Sequence, residues 1–413
     1  MRSWRMVWIV VVIALLIDLY VFQAVKAVTS GSPPRWRTII YNSYWGCSIL
    51  TLIILCLMPF IRQYFGRMQG YVFFGVLGLY FAQLLVCVFL LIDDARRLIQ
   101  WVAARLSVHP APGAGISSEG ISRSVFLSWL GIGVGAGLYS TFLYGFSNKY
   151  NYRVRRLTLA FDKLPASFKG LKIVQLSDIH SGSFTDKVAV SRGVDKVLAE
   201  KPDLILFTGD LVNDMAVEMT DYKDIFARLK APMGVFSTLG NHDYGDYVWW
   251  ETPEQKKNNL SDLMELQRKM GWRLLMNEHV VLQRGEEQIA LIGIENWSAK
   301  ARFPKYGKMN EAYAGTEKYP FKILMSHDPS HWDAEVRSKY PDIDLTLSGH
   351  THGMQFGVEL PWLKWSPVQY VYKEWAGLYE EGRQKLYVNR GFGFIGYPGR
   401  VGILPEITVI QLT

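Results

Sequence analysis

The chain has 413 residues, 49% hydrophobic and 20% charged, with a formal net charge of +8 and a pI near 9.1. That length exceeds one ordinary domain. Its three cysteines, Cys47, Cys56 and Cys87, all lie in or beside apolar segments, which excludes a disulfide scaffold or a thiolate metal site in the later half.

Apolar blocks crowd the region before Tyr150, whereas acidic residues and histidines concentrate beyond Asp178. The pattern predicts a membrane region over 1–149 and a globular unit over 150–413. Lysines and arginines are scattered, and several flank apolar blocks, where lipid headgroups attract them. No contiguous basic track with stacking aromatics appears in the later half, so no nucleic-acid partner is expected and a nuclease is the weaker reading.

A helix needs roughly 20 apolar residues to cross a bilayer. Four stretches qualify, at about 6–27, 44–61, 71–92 and 125–146. The first is long, carries Asp18 and is followed by further apolar blocks, so it reads as an anchor, not a cleaved leader. Asp18 inside a span is costly when charged, and it is read as facing a neighbouring helix, protonated or bonded to a hydroxyl. Gly131, Gly133, Gly135 and Gly137 offer a small-residue face for close helix packing. Residues 94–107 (DARRLIQWVAARLS) have apolar positions at helical spacing with arginines between, predicting a helix along the headgroup layer. Residues 109–120 read as a flexible connector.

Basic residues balance across the spans. Arg2, Arg5, Arg62, Arg67, Lys149, Arg153, Arg155 and Arg156 fall on one side, and Lys26, Arg35, Arg37, Arg96, Arg97, Arg105 and Arg123 on the other. The fourth span alone favours a cytoplasmic later half. The stretch SRSVFL at 122–127 resembles an export signal that has lost its second arginine, and favours the outside.

Beyond Tyr150 the pattern changes to short β-rich runs that stop at polar groups. LKIVQL runs into SDIH, LILF into TGDLVND, GVFSTL into GNHD, KILM into SHDP, and IDLTL into SGHTHG. Between the first two, Val190, Val194, Val197 and Leu198 repeat at helical spacing, so strand, helix, strand follows. In such α/β folds sites form at the carboxyl ends of strands. Asp178, His180, Asp210, Asn241, His327, His350 and His352 supply carboxylate, imidazole and amide donors without sulfur, a set suited to Mn, Fe or Zn. Seven donors suit two ions that share a bridge. On an extended segment, Asp-x-His or His-x-His would send both side chains to one face.

The order D-x-H, GD, GNHD, a solitary His and GHTH resembles the calcineurin-like metallophosphoesterase superfamily, from about Lys172 to Thr413. SDIHSGSF, KLYVNRGFG at Lys385 to Gly393, and GRVGILPEITVIQL are similar to a bacterial membrane-anchored group. That group includes the exported Bacillus phosphoesterase and the UDP-2,3-diacylglucosamine pyrophosphatases. The resemblance implies an α/β fold, a four-layer sandwich of two mixed β-sheets flanked by helices, here preceded by four transmembrane helices. It implies a metal-dependent phosphoric ester hydrolase in which Asp178, His180 and His352 hold one divalent ion and Asn241, His327 and His350 a second. Asp210 bridges them, and a hydroxide between the ions attacks phosphorus. His242 would act at the leaving oxygen, with Asp243 either orienting its imidazole or serving as a turn carboxylate. Arg390 and Arg400 are candidate substrate-binding groups, against the alternative of structural salt bridges. GDLVND lacks the arginine that protein phosphatases carry after GD, which argues against a phosphoprotein substrate.

The expected enzyme is an integral, multi-pass protein of a bacterial inner membrane acting on a phosphate ester or pyrophosphate of a small, lipid-linked or envelope substrate. A membrane sensor or scaffold with a vestigial catalytic unit is the alternative, and retention of all seven donors argues against it. His331 is expected at a solvated helix start. His279 lies outside the motif, and Tyr247, Trp249 and Trp250 form an aromatic cluster with at least one ring exposed.

Overall fold

Four apolar runs become four long helices: α1 (Arg2–Val28), α2 (Pro34–Phe65), α3 (Met68–Leu106) and α4 (Arg123–Gly145). The structure is a computed structural model that describes residues 2–65, 68–106, 123–300 and 303–413, so the expected connector at 109–120 lies outside the described residues. The chain divides into two compact units, Met1–Tyr144 and Gly145–Thr413.

In the first unit each helix carries an apolar window long enough to span a membrane, with mean hydropathy between 1.4 and 2.5. Leu16, Leu50, Phe81 and Leu91 are exposed, an arrangement suited to lipid as solvent. Pro34 opens α2, where its missing N–H costs nothing. The expected separate surface helix at 94–107 is instead the continuation of α3. No glycine or proline interrupts 93–106, and Asp93 holds Arg96 and Arg97 one turn on at 2.7 and 3.3 Å, so the charged stretch carries the helix forward. Of the four glycines in α4, Gly131 and Gly135 pack on α3. A Cβ on Gly135 would sit 3.0 Å from the Ala82 carbonyl oxygen, while Gly133 and Gly137 face open space.

Asp18 is fully buried. Its carboxylate accepts from Ser48 Oγ at 2.6 Å, Gln83 Nε2 at 2.9 Å and Tyr80 OH at 3.1 Å, and Tyr44 OH donates to its backbone carbonyl at 2.7 Å. One carboxyl on α1 thus ties α2 to α3. Asp18→Leu is expected to cost about 2 kcal/mol, given roughly 0.6 kcal/mol for each interhelical hydrogen bond and the polar groups left unpaired. Thermal unfolding of the full chain in detergent checks this; an unchanged midpoint would show the network to be idle.

The second unit begins with β1 (Arg153–Leu159), β2 (Lys172–Leu176), β3 (Leu204–Phe207), β4 (Val235–Ser237), β5 (Arg273–Leu274), β6 (Glu278–Arg284) and β7 (Glu287–Gly293). It continues with β8 (Lys322–Met325), β9 (Leu345–Ser348), β10 (Val358–Leu360), β11 (Leu363–Trp365), β12 (Gly377–Glu381), β13 (Gln384–Val388) and β14 (Glu406–Leu412). Two mixed six-stranded sheets result, in the orders β1-β14-β2-β3-β4-β5 and β12-β13-β9-β8-β7-β6; β10 and β11 form a separate hairpin.

Alternation along the strands builds the layers. Leu204 and Leu206 of β3 face Ile323, Met325, Leu345 and Leu347 of the other sheet, while Ile205 and Phe207 face Val194, Val197 and Leu263 of the helices Lys187–Ala199 and Pro253–Lys269. Leu324 of β8 packs on the far side with Met309, Trp332 and Val336. Helices, sheet, sheet and helices make four layers, the architecture expected. Burial on both faces explains why LILF and KILM read as unbroken apolar runs, each side chain contributing about 1.5–3 kcal/mol.

The helix Lys187–Ala199 starts where the Asp186 carboxylate accepts from Ala189 N at 2.9 Å, and the helix Pro253–Lys269 where Thr252 accepts from Gln255 N at 3.2 Å.

Candidate metal centre

Parallel register sets the site. Leu176 of β2 pairs with Phe207 of β3, which pairs with Ser237 of β4; in the second sheet Met325 pairs with Leu347. The carboxyl ends of these strands are therefore level, and the segments that follow them converge.

The extended backbone expected for Asp-x-His and His-x-His does not occur. Asp178, His180, Asp210, His350 and His352 all adopt left-handed backbone, with φ of 52°, 48°, 61°, 71° and 51°. Non-glycine residues there cost of order 1–3 kcal/mol each and persist where function over-determines them. Left-handed turns, not strand alternation, aim the donors inward. Two glycines permit the close approach: a Cβ on Gly240 would lie 2.2 Å from Asp210 Oδ1, and one on Gly349 would lie 2.2 Å from Asp178 Oδ2.

All seven predicted donors meet in two groups. Asp178, His180 and His352 form one and Asp210, His327 and His350 the other, donor atoms within 4.8 Å inside each. Asn241 joins the second, its Oδ1 2.8 Å from His350 Nδ1. Asp210 Oδ2 stands between the groups, 3.1 Å from His327 Nε2 and 3.5 Å from His180 Nε2.

His327 Nδ1 is 2.7 Å from the Thr208 carbonyl oxygen, which only accepts, so Nδ1 carries hydrogen. In the neutral ring, Nε2 then presents a lone pair to Asp210 Oδ2, with His350 Nδ1 3.3 Å away. Either a proton on Nε2 or a metal cation must sit between the two. Both ring nitrogens of His180 are buried without a hydrogen-bond partner, and Nε2 of His352 lies 3.2 Å from Asp178 Oδ1. Burial pushes His180 well below its ordinary range, keeping the imidazole neutral. Burial also lowers His327, but the Asp210 carboxylate outweighs it and lifts that imidazole to about 10. This donor set fits divalent cations held by nitrogen and oxygen.

His242 is half-buried and lines the same cavity of about 600 Å³, together with His180, Asp210, Asn241, His350 and His352. Its Nδ1 donates to the Asn213 carbonyl at 2.7 Å. Asp243 does not orient it. The Asp243 carboxylate accepts from the backbone N–H groups of Asp210 and Gly240, both at 2.9 Å, and of Leu211 at 2.8 Å. It pins two ligand loops together; burial and the Asp210 carboxylate push it up to about 7.

Arg390 and Arg400 do not line the cavity. Arg390 is buried between Glu406 and Glu359 at 2.5 and 2.6 Å. Arg400, fully buried, donates to the carbonyls of Arg390, His352, Gly391 and Gly393 and lies 3.2 Å from His352 Nδ1. Both guanidiniums are spent on protein groups.

His331 is likewise buried, not solvated, between Ser326 Oγ at 3.0 Å and Glu335 at 3.2 Å. His279 bonds the Ala312 carbonyl and is absent from the cavity. Tyr247 lines the cavity, Trp249 is exposed, and Trp250 is half-buried with its indole N–H on the Gly245 carbonyl.

Tyr372 and Asp328 escaped the sequence reading. Tyr372 OH lies 2.8 Å from His350 Nε2 and donates to Asp328 Oδ2 at 3.1 Å, so the pair orients that imidazole from behind. Asp328 directly follows His327 in SHDP, the one signal for it; nothing marks Tyr372.

Comparisons with known proteins agree with this build. A family model for the calcineurin-like phosphoesterase matches residues 171–354, and one for the probable calcineurin-like phosphoesterase transmembrane domain matches residues 1–149. The chain is similar to a transmembrane protein with metallophosphoesterase domain from Danio rerio, 31% identical over 269 residues, covering 63% of this chain and 57% of that protein. It thus spans less than two thirds of that relative's length. It is also similar to the uncharacterized metallophosphoesterase YkuE of Bacillus subtilis, 30% identical over 265 residues, covering 62% of this chain and 83% of YkuE. A third relative is the UDP-2,3-diacylglucosamine pyrophosphatase LpxG of Chlamydia trachomatis, 28% identical over 291 residues, covering 58% of this chain and 83% of LpxG. Four membrane-length helices, a two-sheet sandwich and converging histidines and carboxylates, together with both family models and the similarity to YkuE, mean that the chain is a membrane protein of the calcineurin-like phosphoesterase family.

Proposed function

We propose that the protein is a membrane-anchored phosphoesterase that uses two divalent ions, Mn, Fe or Zn, to hydrolyse a phosphate ester or pyrophosphate bond of a lipid-linked or envelope substrate in a bacterial inner membrane. The carrying observation is the convergence of nitrogen and oxygen donor atoms around Asp210 Oδ2, 3.1 Å from His327 Nε2 and 3.5 Å from His180 Nε2. Asp178, His180 and His352 would hold one ion, Asn241, His327 and His350 the other, with Asp210 shared. When bound, such a pair supplies Lewis-acid polarisation of a phosphoryl group and activation of the attacking water.

The protein's own groups do the rest. The Asn213 carbonyl holds His242 Nδ1–H and leaves Nε2 of this cavity-lining ring to donate, when protonated, to the leaving oxygen. The buried Asp243 carboxylate holds the loops that carry Asp210 and Asn241 in register. An anchored site also meets lipid-borne phosphate at raised effective concentration. The name of LpxG, a pyrophosphatase acting on a diacylated sugar nucleotide, supports a lipid-linked phosphate.

The purified full chain should hydrolyse bis-p-nitrophenyl phosphate with Mn²⁺ and stop on chelation. Chelation should also lower the unfolding midpoint by about 5–10 °C, because ligand held at about 100 times Kd stabilises by about 2.7 kcal/mol. No turnover with any of the three metals, together with an unmoved midpoint, would discard the reading.

A further inference from the structure

We propose that the β10–β11 hairpin and the turn after it bind the hydrocarbon tail of the phosphate ester, a tail site that rests on the phosphoesterase reading above. In the hairpin Val358 pairs with Trp365, Glu359 with Lys364, and Leu360 with Leu363. Side chains alternate between faces, and a two-stranded hairpin on a protein surface ordinarily turns its apolar face inward.

Here charged side chains meet protein while most of the apolar ones do not. Glu359 bonds Arg390 at 2.6 Å and also pairs with Arg155, while Lys364 stacks over the rings of Trp375 and Tyr379 at 4.7 and 5.3 Å. Both charged side chains therefore reach protein partners, although Lys364 as a whole stays exposed and Trp365, on the opposite face, is half-buried. Val358, Leu360 and Leu363 stand 38%, 45% and 40% exposed on that opposite face, with Trp362 at the tip 79% exposed.

The strip leads to the metal centre. The Trp365 indole N–H donates to Tyr370 OH at 3.4 Å, and the next residue, Val371, lines the cavity with Met354, Val368 and the histidines. Tyr370, Val371 and Met354 are all exposed. Apolar side chains thus continue from Val371, which lines the cavity, through Tyr370 to Trp365 and on along the hairpin, itself about 10 Å long at three extended residues. A contiguous exposed apolar surface is a liability unless something apolar covers it. Its continuity with the cavity commits that occupant to the tail of the molecule whose phosphate lies among the histidines.

A series of p-nitrophenyl alkyl phosphodiesters, methyl to octyl, tests this on the full chain in nanodiscs with Mn²⁺. In the wild type kcat/KM should rise about two- to fourfold per added methylene. The slope, referenced in each protein to its own methyl ester rate, should flatten in Leu360→Ser/Leu363→Ser and in Trp362→Ser. A flat wild-type series overturns the proposal, and so does a slope equally steep in the variants, the result expected if the strip merely lies against the bilayer. Failure of even the methyl ester to react would count against the phosphoesterase reading instead. Calorimetric affinity for butyl to dodecyl phosphate then decides the tail site. Affinity that climbs with chain length in the wild type alone sustains it, and affinity independent of length overturns it.

Discussion

Asp210→Asn is expected to lower kcat/KM toward bis-p-nitrophenyl phosphate by about 10⁴-fold, a loss of about 5–6 kcal/mol of transition-state stabilisation. Asp210 Oδ2 lies within 3.5 Å of an imidazole from each donor group, and Oδ1 accepts from His242 N at 2.8 Å. The amide keeps the size of the side chain and one oxygen for that backbone bond. It replaces the shared anionic oxygen with a donor facing two imidazoles, or surrenders the backbone bond to avoid doing so. Neither outcome leaves a bridge, so metal content should fall from two ions per chain toward one while the circular dichroism of the fold is kept. A variant that binds two ions and turns over at the wild-type rate would remove Asp210 from the centre.

Why these donors were legible, and others not, follows from where each constraint lies in the chain. SDIH, GD, GNHD and GHTH stand at the ends of apolar runs because a level parallel sheet needs all its carboxyl-end turns to carry the site. Order along the chain thus reports convergence in space. Backbone conformation was not legible: φ near +50° at Asp178 and His180 leaves no trace in residue type, since only glycine advertises it.

Arg390 looked like a phosphate fork because an arginine after a strand reads the same whether it faces a cavity or Glu406, 16 positions away. Asp243 looked like the partner of its neighbour His242, yet backbone N–H groups more than 30 residues earlier claim its carboxylate. Asp18 was legible as a misfit in a span, but its partners lie 30, 62 and 65 positions on, beyond any local pattern. In DARR the charges suggested a new surface helix, where side-chain pairing extends the old one. The hairpin is the sharpest case. Which of its faces turns inward depends on Arg155, Arg390 and Trp375, all outside the hairpin itself.

His242→Gln separates proton donation from metal binding. His242 Nδ1 is committed to the Asn213 carbonyl, so a second proton can reside only on Nε2 of this cavity-lining ring. Its ring lies 5.0 Å from that of His180 and 4.7 Å from that of Tyr247, close to the donors without belonging to either group. A general acid contributes about 10²–10⁴ in rate, and most where the leaving group is a poor one. With an alkyl leaving group, whose alkoxide needs a proton as the P–O bond breaks, the variant should therefore lose about 10²–10⁴ in kcat. With p-nitrophenolate, which departs as a stable anion, the loss should be at least tenfold smaller. Metal content should remain two ions per chain, because Asn241, His327, His350 and the Asp210 carboxylate are untouched. Equal losses for both leaving groups, accompanied by loss of an ion, would instead make His242 part of the metal-binding architecture and leave the leaving oxygen without an identified acid.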